Sequence, residues 1–165
     1  MTASEKITQE ELIKKMLDMR ARDIITFAKI LVSQVGKEKA KDLIKKARWD
    51  AWNQRGEMVA EKAGNPQDLD SYIEEYFIKE MGLMPWVPPT EWDEKTKTKA
   101  VTTYRIDCIG KSLAELGDED IREIVREAYC VHDIAWAKGF NPNIKIEMTK
   151  TFCAGDDCCQ FVIES

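Results

Sequence analysis

Apolar residues in the first third of the chain recur at the three- and four-residue spacing of an α-helix. Thr8 followed by Glu11 forms a capping box, because the two side chains can satisfy exposed backbone N–H groups at a helix start. The pattern predicts a helix from there to about Gln34, ended by Gly36. Its predicted apolar stripe consists of Ile13, Met16 or Leu17, Ile24, Phe27 or Ala28, and Leu31.

Two further helices are predicted before the midpoint of the chain. The second runs from Lys37 to about Ala63 and ends at the breaker sequence Gly64-Asn65-Pro66. The third takes Asn65 as its N-cap and Pro66 as its first residue, because proline fits the first helical position. It is expected to end at Gly82.

From Met84 the pattern changes from helical to extended. The segment Met84–Pro89 contains consecutive prolines, which lack N–H donors and force an extended backbone. Alternation of apolar and polar residues then predicts three strands, at Thr98–Cys108, Ile144–Met148 and Cys158–Glu164. It directs Tyr104 and Cys108 to one face of the first strand, and Cys159 and Phe161 to one face of the last.

Further helices are expected between these strands. A short one covers Gly110–Leu116, a longer one runs from Glu119 to Ala137, and Gly139-Phe140-Asn141-Pro142 is a predicted turn. This order indicates an α+β fold, with N-terminal helices packed on a small antiparallel β-sheet that ends in a C-terminal β-hairpin. The length fits a single domain at residues 1–165, with a helical part at 1–82 and a part at 83–165 that carries the site.

Composition restricts the partners. Hydrophobic residues make up 44% of the chain and charged residues 33%, as in globular proteins. The net charge of −5 argues against nucleic acid and against anionic membranes as partners. No apolar run is long enough for a membrane helix, and the N-terminus lacks the apolar core of a signal peptide, so we expect a cytoplasmic protein. A small-molecule substrate and a possible homo-oligomer are the partners that remain.

The five cysteines all lie between residues 108 and 159, and their odd number does not fit a secreted disulfide framework. Cys108 and Cys159 each share a core-facing strand side with apolar neighbours. Cys130 and Asp133 lie three residues apart on the long helix, whose second half is apolar nearly all round. Helical phase places the only histidine, His132, on the inner stripe and Cys130 roughly opposite it.

Each of these residues also has a structural interpretation. A buried cysteine is usually a small hydrophobe, and a histidine on an apolar stripe is often a hydrogen-bonded core residue. Zinc is a weaker alternative, since the chain has no Cys-x-x-Cys pair, and no cofactor is expected. Among the aromatic residues, Tyr104, Trp136 and Phe161 are candidate pocket walls, and Trp86 is the candidate lid.

Several motifs of the C-terminal third resemble one enzyme family. They are Cys130-x-x-Asp133, Gly139-Phe140-Asn141-Pro142, Thr149-Lys150-Thr151 and Gly155-Asp156-Asp157-x-Cys159-x-Phe161. Together with the upstream Cys108 they resemble the L-2-amino-thiazoline-4-carboxylic acid hydrolase family over about residues 100–165. The terminal strand is also similar to 4-vinyl-reductase domains and to Golgi-transport tethering subunits, which share helices and a small sheet around an apolar cavity.

The resemblance implies hydrolysis of a carbon–nitrogen bond in a small cyclic amidine. It implies Asp133 as general base or amidinium partner, Cys130 or Cys159 as candidate nucleophile, His132 as proton shuttle, and Cys108 as a further catalytic candidate. Tyr104, Trp86, Trp136 and Phe161 are the expected substrate contacts. The alternatives are a non-catalytic small-molecule-binding or sensory domain, and an isomerase or hydratase that uses the same pocket.

Overall fold

The computed structural model describes residues 7–84, 87, 90–105 and 109–165. The α-helices are α1 (Gln9–Val35), α2 (Lys37–Lys62), α3 (Leu69–Tyr72), α4 (Ile109–Leu116), α5 (Glu119–Ile124) and α6 (His132–Phe140). Two π-helical segments, Ile73–Glu80 and Val125–Tyr129, continue α3 and α5, and 3₁₀ turns lie at Met81–Leu83 and Phe152–Ala154. The strands are β1 (Trp92–Lys95), β2 (Lys99–Tyr104), β3 (Lys145–Lys150) and β4 (Cys159–Glu164).

The first two helices begin and end at the residues that their sequence signals indicate. The capping box of Thr8 and Glu11 is present, and Gly36, with a φ of 82°, separates α1 from α2. The buried face of α1 consists of Leu17, Ala21, Ile25 and Ala28. None of the helices in the described part of the chain is long and apolar enough to cross a membrane.

The predicted start of the third helix is wrong by three residues. Asn65 adopts a left-handed conformation with a φ of 55°, which places it in the turn after α2 instead of at a helix cap. The cap is Asp68, whose carboxylate accepts a 2.8 Å hydrogen bond from the backbone N–H of Ser71. The helical backbone then continues one residue past Gly82.

The strands form one antiparallel sheet in the order β1-β2-β4-β3. Its central pairing joins β2 to β4, with Ala100 opposite Ile163, and β3 and β4 form the expected C-terminal hairpin. The sequence pattern did not predict β1, because this four-residue strand is exposed along most of its length and has no apolar alternation. The α+β architecture is confirmed.

Helices α2 and α6 approach so closely that glycine is required on both sides of the contact. A Cβ atom on Gly56 would lie 2.2 Å from the carbonyl oxygen of Trp136, and one on Gly139 would lie 2.0 Å from that of Asn53. This contact corrects the prediction of a turn beginning at Gly139, since α6 continues to Phe140. Gly139 therefore serves helix packing and does not end the helix.

An aromatic layer fills the space between this helix pair and the third helical segment. The ring of Trp136 stacks on Phe140 with 5.1 Å between ring centroids and lies 4.6 Å from the ring of Tyr76. Tyr72 contacts the same tryptophan edge-on at 5.6 Å. These rings are almost completely buried, and they connect α6 to the π-helical segment that carries Tyr76.

We expect Gly139→Ala to destabilise the fold by about 1–3 kcal/mol, although alanine favours helices, because its Cβ overlaps the backbone of α2. Urea unfolding measures the change. The matched control is Gly82→Ala, whose Cβ would meet nothing closer than 3.7 Å and should change stability by less than about 1 kcal/mol. Equal unfolding midpoints for the two variants would contradict this account of the helix contact.

Candidate active site

A cavity of about 130 Å³ lies between the helices and the sheet. Its volume is close to the roughly 150 Å³ of an engineered apolar cavity that holds benzene, so it suits a small ring. Helices α1, α2 and α6, both π-helical segments, and strands β2, β3 and β4 contribute to its wall. The polar and sulfur-bearing groups of the wall come from Arg20, Arg48, Tyr104, Tyr129, Cys130, His132, Asp133 and Cys159.

The long helix predicted from Glu119 to Ala137 is in fact interrupted, and the interruption forms one wall of the cavity. The segment Val125–Tyr129 is π-helical, and the backbone N–H of Cys130 donates to the carbonyl of Val125, five residues earlier. Each such turn holds one more residue than an α-turn, so the residues that follow are rotated by about 100°. Cys130 and Val131 then form a turn before α6 begins at His132. Cys130, which an uninterrupted helix would place opposite His132, lines the same cavity as His132 and Asp133.

Asp133 is the buried carboxylate of the cavity. Asp133 is 8% exposed and lies in the first turn of α6, where the helix dipole favours negative charge. The hydroxyl of Tyr76 donates a 2.5 Å hydrogen bond to Oδ1 of Asp133. Burial and the neighbouring Asp133 charge raise the pKa of Tyr76 well above its usual value, so the phenol remains a donor.

His132 lies beside Asp133 with both ring nitrogens near an acceptor. Nδ1 is 3.2 Å from the carbonyl oxygen of Tyr129, and Nε2 is 3.6 Å from Oδ2 of Asp133. Burial lowers the pKa of His132, although the Asp133 carboxylate acts in the opposite direction. Both neighbours are acceptors, but only the carbonyl of Tyr129 lies within hydrogen-bond distance, so the neutral ring is assigned its proton on Nδ1 and leaves Nε2 facing Asp133.

The cavity also contains two of the predicted thiols. Burial, followed by the nearby Cys153 and Asp133, raises the pKa of the Cys130 thiol well above its usual value. Cys159 is 8% exposed, and its Sγ lies 3.8 Å from the hydroxyl of Thr151. Cys130 is therefore held as a thiol and not as a thiolate.

Arg48 supplies a cation to the cavity from α2, the helix that packs against α6. Its guanidinium carbon lies 4.1 Å from the ring centroid of Tyr129 and 5.3 Å from that of Trp52, and its Nε donates to the Tyr129 carbonyl at 3.4 Å. Among the described residues, no carboxylate lies within ion-pair distance of Arg48. Its guanidinium is thus oriented by rings and a carbonyl, which leaves its charge available to an anionic ligand.

The remaining wall is apolar, and the predicted aromatic residues have different positions in it. Tyr104 and Phe161 line the cavity with 6.1 Å between their ring centroids. Trp136 does not line it: the residue is fully buried in the aromatic layer behind Tyr76, which corrects its assignment as a substrate contact. Trp86 and Cys108 lie outside the described residues.

Arg48, in the cavity wall, and Tyr76, fully buried behind Asp133, are among the residues of the site that the sequence did not predict. Arg48 stands four residues before Trp52 on α2, a spacing that places an arginine over an aromatic ring. Tyr76 lies in an apolar stripe of its helix, where phenylalanine could pack equally well. A tyrosine at such a position indicates that its hydroxyl has a buried partner, which here is Asp133. By contrast the guanidinium of Arg105 is exposed and lies 3.9 Å from the carboxylate of Asp93.

The residues that the structure describes include no group of three or more histidine, cysteine or acidic side chains arranged to hold a metal ion. The four described cysteines, Cys130, Cys153, Cys158 and Cys159, are all unbridged.

Comparison with known proteins gives one family and one fold. A model of the L-2-amino-thiazoline-4-carboxylic acid hydrolase family matches residues 16–163. No curated protein sequence matches the chain. Among solved structures, a trafficking protein particle complex subunit 3 from Naegleria fowleri, covalently bound to palmitic acid, is similar with a TM-score of 0.55 and 14% identity. The similarity covers 94% of this chain and 96% of that chain, and at this identity it shows a shared fold.

The lowered pKa of His132 makes folding stability depend on pH in a defined direction. The unfolded chain takes up the imidazole proton near pH 6.5, whereas the folded protein does so only at lower pH, so stability falls as the pH drops below about 6.5. We expect the wild type to lose more stability between pH 7.5 and pH 5.5 than His132→Gln, as measured by urea unfolding. Because the chain has one histidine, the difference between the two proteins isolates this group. Parallel losses would show that the imidazole titrates normally.

Proposed function

The chain belongs to the L-2-amino-thiazoline-4-carboxylic acid hydrolase family, and on that premise we propose that it hydrolyses a carbon–nitrogen bond of a small cyclic amidine carrying a carboxylate. The family name supplies the reaction type. The groups in the cavity supply the reasons to expect this chemistry from these residues.

The charge pattern of the cavity is the observation that carries the proposal. A 2-amino-thiazoline-4-carboxylate has a cationic amidinium at one end of its ring and an anionic carboxylate at the other. Asp133 offers a buried carboxylate to the amidinium, and Arg48 offers a guanidinium to the carboxylate. The cavity volume of about 130 Å³ suits a single five-membered ring between these groups.

In the proposed reaction, water adds to the carbon between the sulfur and the two nitrogens. Asp133 takes one proton from this water as the new carbon–oxygen bond forms. The proton then passes to the ring nitrogen, the bond between that nitrogen and the carbon breaks, and the nitrogen leaves as an amine. Loss of the second proton of the water completes the carbonyl group, and the product is S-carbamoyl cysteine. One water is consumed and no redox change occurs.

Tyr76 and His132 support Asp133 in this scheme. The Tyr76 hydroxyl, hydrogen-bonded to Oδ1, fixes the orientation of the carboxylate. The Nε2 atom of His132, 3.6 Å from Oδ2, is the second base that can share the proton taken from water. Both are positioning and relay groups around a single carboxylate.

A cysteine nucleophile is the alternative route through the same cavity. It would attack the same carbon as a thiolate, and the raised pKa of Cys130 opposes that role because the thiol holds its proton at neutral pH. Cys159 is the other described candidate, and serine variants at both positions separate the routes. Water activated by Asp133 needs neither thiol.

A second candidate function is the binding of an apolar ligand without turnover. Most of the cavity wall is apolar, including Phe77, Met81, Met84, Met148 and Phe161. The similarly folded trafficking subunit holds palmitic acid in a covalent complex, which supports an acyl chain as the alternative occupant. Palmitate that raises the melting temperature of the wild type, with no ring opening of any aminothiazoline, would favour this function.

We expect Asp133→Asn to reduce the kcat for opening of L-2-amino-thiazoline-4-carboxylate by roughly 10²–10⁴-fold, because the amide cannot act as a base. Release of the free amine measures the rate. Asp42→Asn is the matched control, since Asp42 is exposed and lies outside the cavity, and it should retain full activity.

Cys130→Ser and Cys159→Ser complete this set of variants. If water is the nucleophile, each serine variant should remain within about tenfold of the wild type. Full activity of Asp133→Asn would contradict the proposed mechanism. Loss of activity in one serine variant alone would identify that thiol as the nucleophile.

We expect Arg48→Gln to raise KM for the carboxylate substrate by about 10–100-fold with a smaller effect on kcat, because the guanidinium binds a group that does not react. The carboxamide analogue of the substrate provides the internal check. The wild type should prefer the carboxylate, and Arg48→Gln should lose this preference. Arg105→Gln, at the exposed position directly after β2, is the control, and an unchanged preference in Arg48→Gln would remove Arg48 from substrate binding.

A further inference from the structure

Helix α1 carries a second apolar face that no described part of the protein covers. The face, called here the α1 stripe, consists of Leu12, Met16, Met19, Phe27 and Ile30, which are 39–68% exposed. At about 100° per residue these five side chains fall within an arc of about 80°. The prediction from sequence had assigned Met16 and Phe27 as alternatives for the buried stripe.

The α1 stripe is not an edge of the buried face. The side chains that α1 buries, Leu17, Ala21, Ile25 and Ala28, are centred roughly 160° away from it around the helix. Ala21, Ile25 and Ala28 belong to a buried cluster with Leu113, Ile121 and Val125 of the neighbouring helices. Helix α1 is thus apolar on two opposite sides, and a helix with that pattern is usually covered on both.

The surface of the stripe is large enough for a weak, specific contact. Its five exposed side chains together present on the order of 500 Å² of apolar surface. Two copies facing each other would remove roughly 1,000 Å² from water, which is the lower bound for a specific protein interface. A contact of this size predicts a dimer that dissociates on dilution.

One charge on the stripe points to a second copy of the same chain. Asp23 lies within the arc of the stripe, and among the described residues it has no ion-pair partner. An antiparallel pairing that sets Leu12 opposite Ile30 of the second copy also sets Asp23 opposite Met19. Arg22, three residues after that methionine and exposed, is then within reach of the Asp23 carboxylate. A two-fold axis forms this ion pair twice.

We propose that the α1 stripe is the interface of an antiparallel, two-fold symmetric homodimer. The same helix carries Arg20, which lines the cavity, so the interface lies beside one wall of the candidate active site. The proposal does not depend on which reaction or ligand the cavity serves.

Sedimentation equilibrium of the full chain between 1 and 100 µM tests the proposal. We expect the wild type to shift from monomer to dimer over this range. Phe27→Glu should remain a monomer at 100 µM, because each copy would have to bury a carboxylate in an apolar contact. Its circular dichroism, and its unfolding midpoint at 1 µM, where the wild type is also a monomer, should be unchanged. Leu83→Glu is the matched control, since Leu83 is 82% exposed and lies off the stripe, and it should dimerise like the wild type.

Cross-linking tests the antiparallel register. Leu12→Cys and Ile30→Cys proteins, mixed and mildly oxidised, should form a disulfide-linked heterodimer, whereas each variant alone and the wild type should not. A wild-type monomer at 100 µM would overturn the proposal, including the case in which the stripe instead binds lipid vesicles or another protein. A Phe27→Glu dimer would also overturn it, and a Leu12→Cys homodimer would overturn the antiparallel arrangement.

Discussion

The close crossing of α2 and α6 is the constraint on which the cavity depends. Gly56 and Gly139 let the two backbones touch, and that contact fixes how far one helix is displaced along the other. The side chains of successive turns then meet in register, in the pairs Arg48 with Tyr129, Trp52 with His132, and Gly56 with Trp136. A side-chain contact would tolerate small shifts, whereas a backbone contact does not, so the polar groups of the cavity are held by the least adjustable part of the core.

Burial of Asp133 is costly unless its charge has partners, and the fold provides them from separate elements. The Tyr76 hydroxyl comes from the π-helical segment after α3, His132 comes from the same helix as Asp133, and the start of α6 adds its dipole. None of these contacts neutralises the carboxylate with a full positive charge. Arg48, the nearby cation on α2, forms its contacts with rings and a carbonyl instead. A buried carboxylate stabilised in this way retains the ability to bind a cation or to accept a proton.

Local signals were sufficient to predict much of the fold. The Thr8 capping box, Gly36 and the alternation of the C-terminal strands act within a few residues, and the structure has α1, the α1–α2 break and the β3–β4 hairpin where they indicate. The arrangement of the site instead depends on contacts between residues that are far apart in the chain. Whether the helix after Asp118 stays α-helical depends on packing against distant residues, so the sequence pattern left Cys130 on the wrong side. For the same reason Arg48 could not be identified as a cavity residue, because its neighbours Tyr129 and His132 are more than eighty positions away in the chain.

The π-helical segments also make the length of two helices part of the site. A π-turn holds one more residue than an α-turn, so it changes which side chains before and after it face the same way. Here Tyr76, in one such segment, reaches the carboxylate of Asp133, and Cys130, directly after the other, lines the cavity beside it. Removing one residue from either segment would rotate the helix beyond it by about 100° relative to the helix before it. The cavity therefore depends on the number of residues in these segments as well as on their identity.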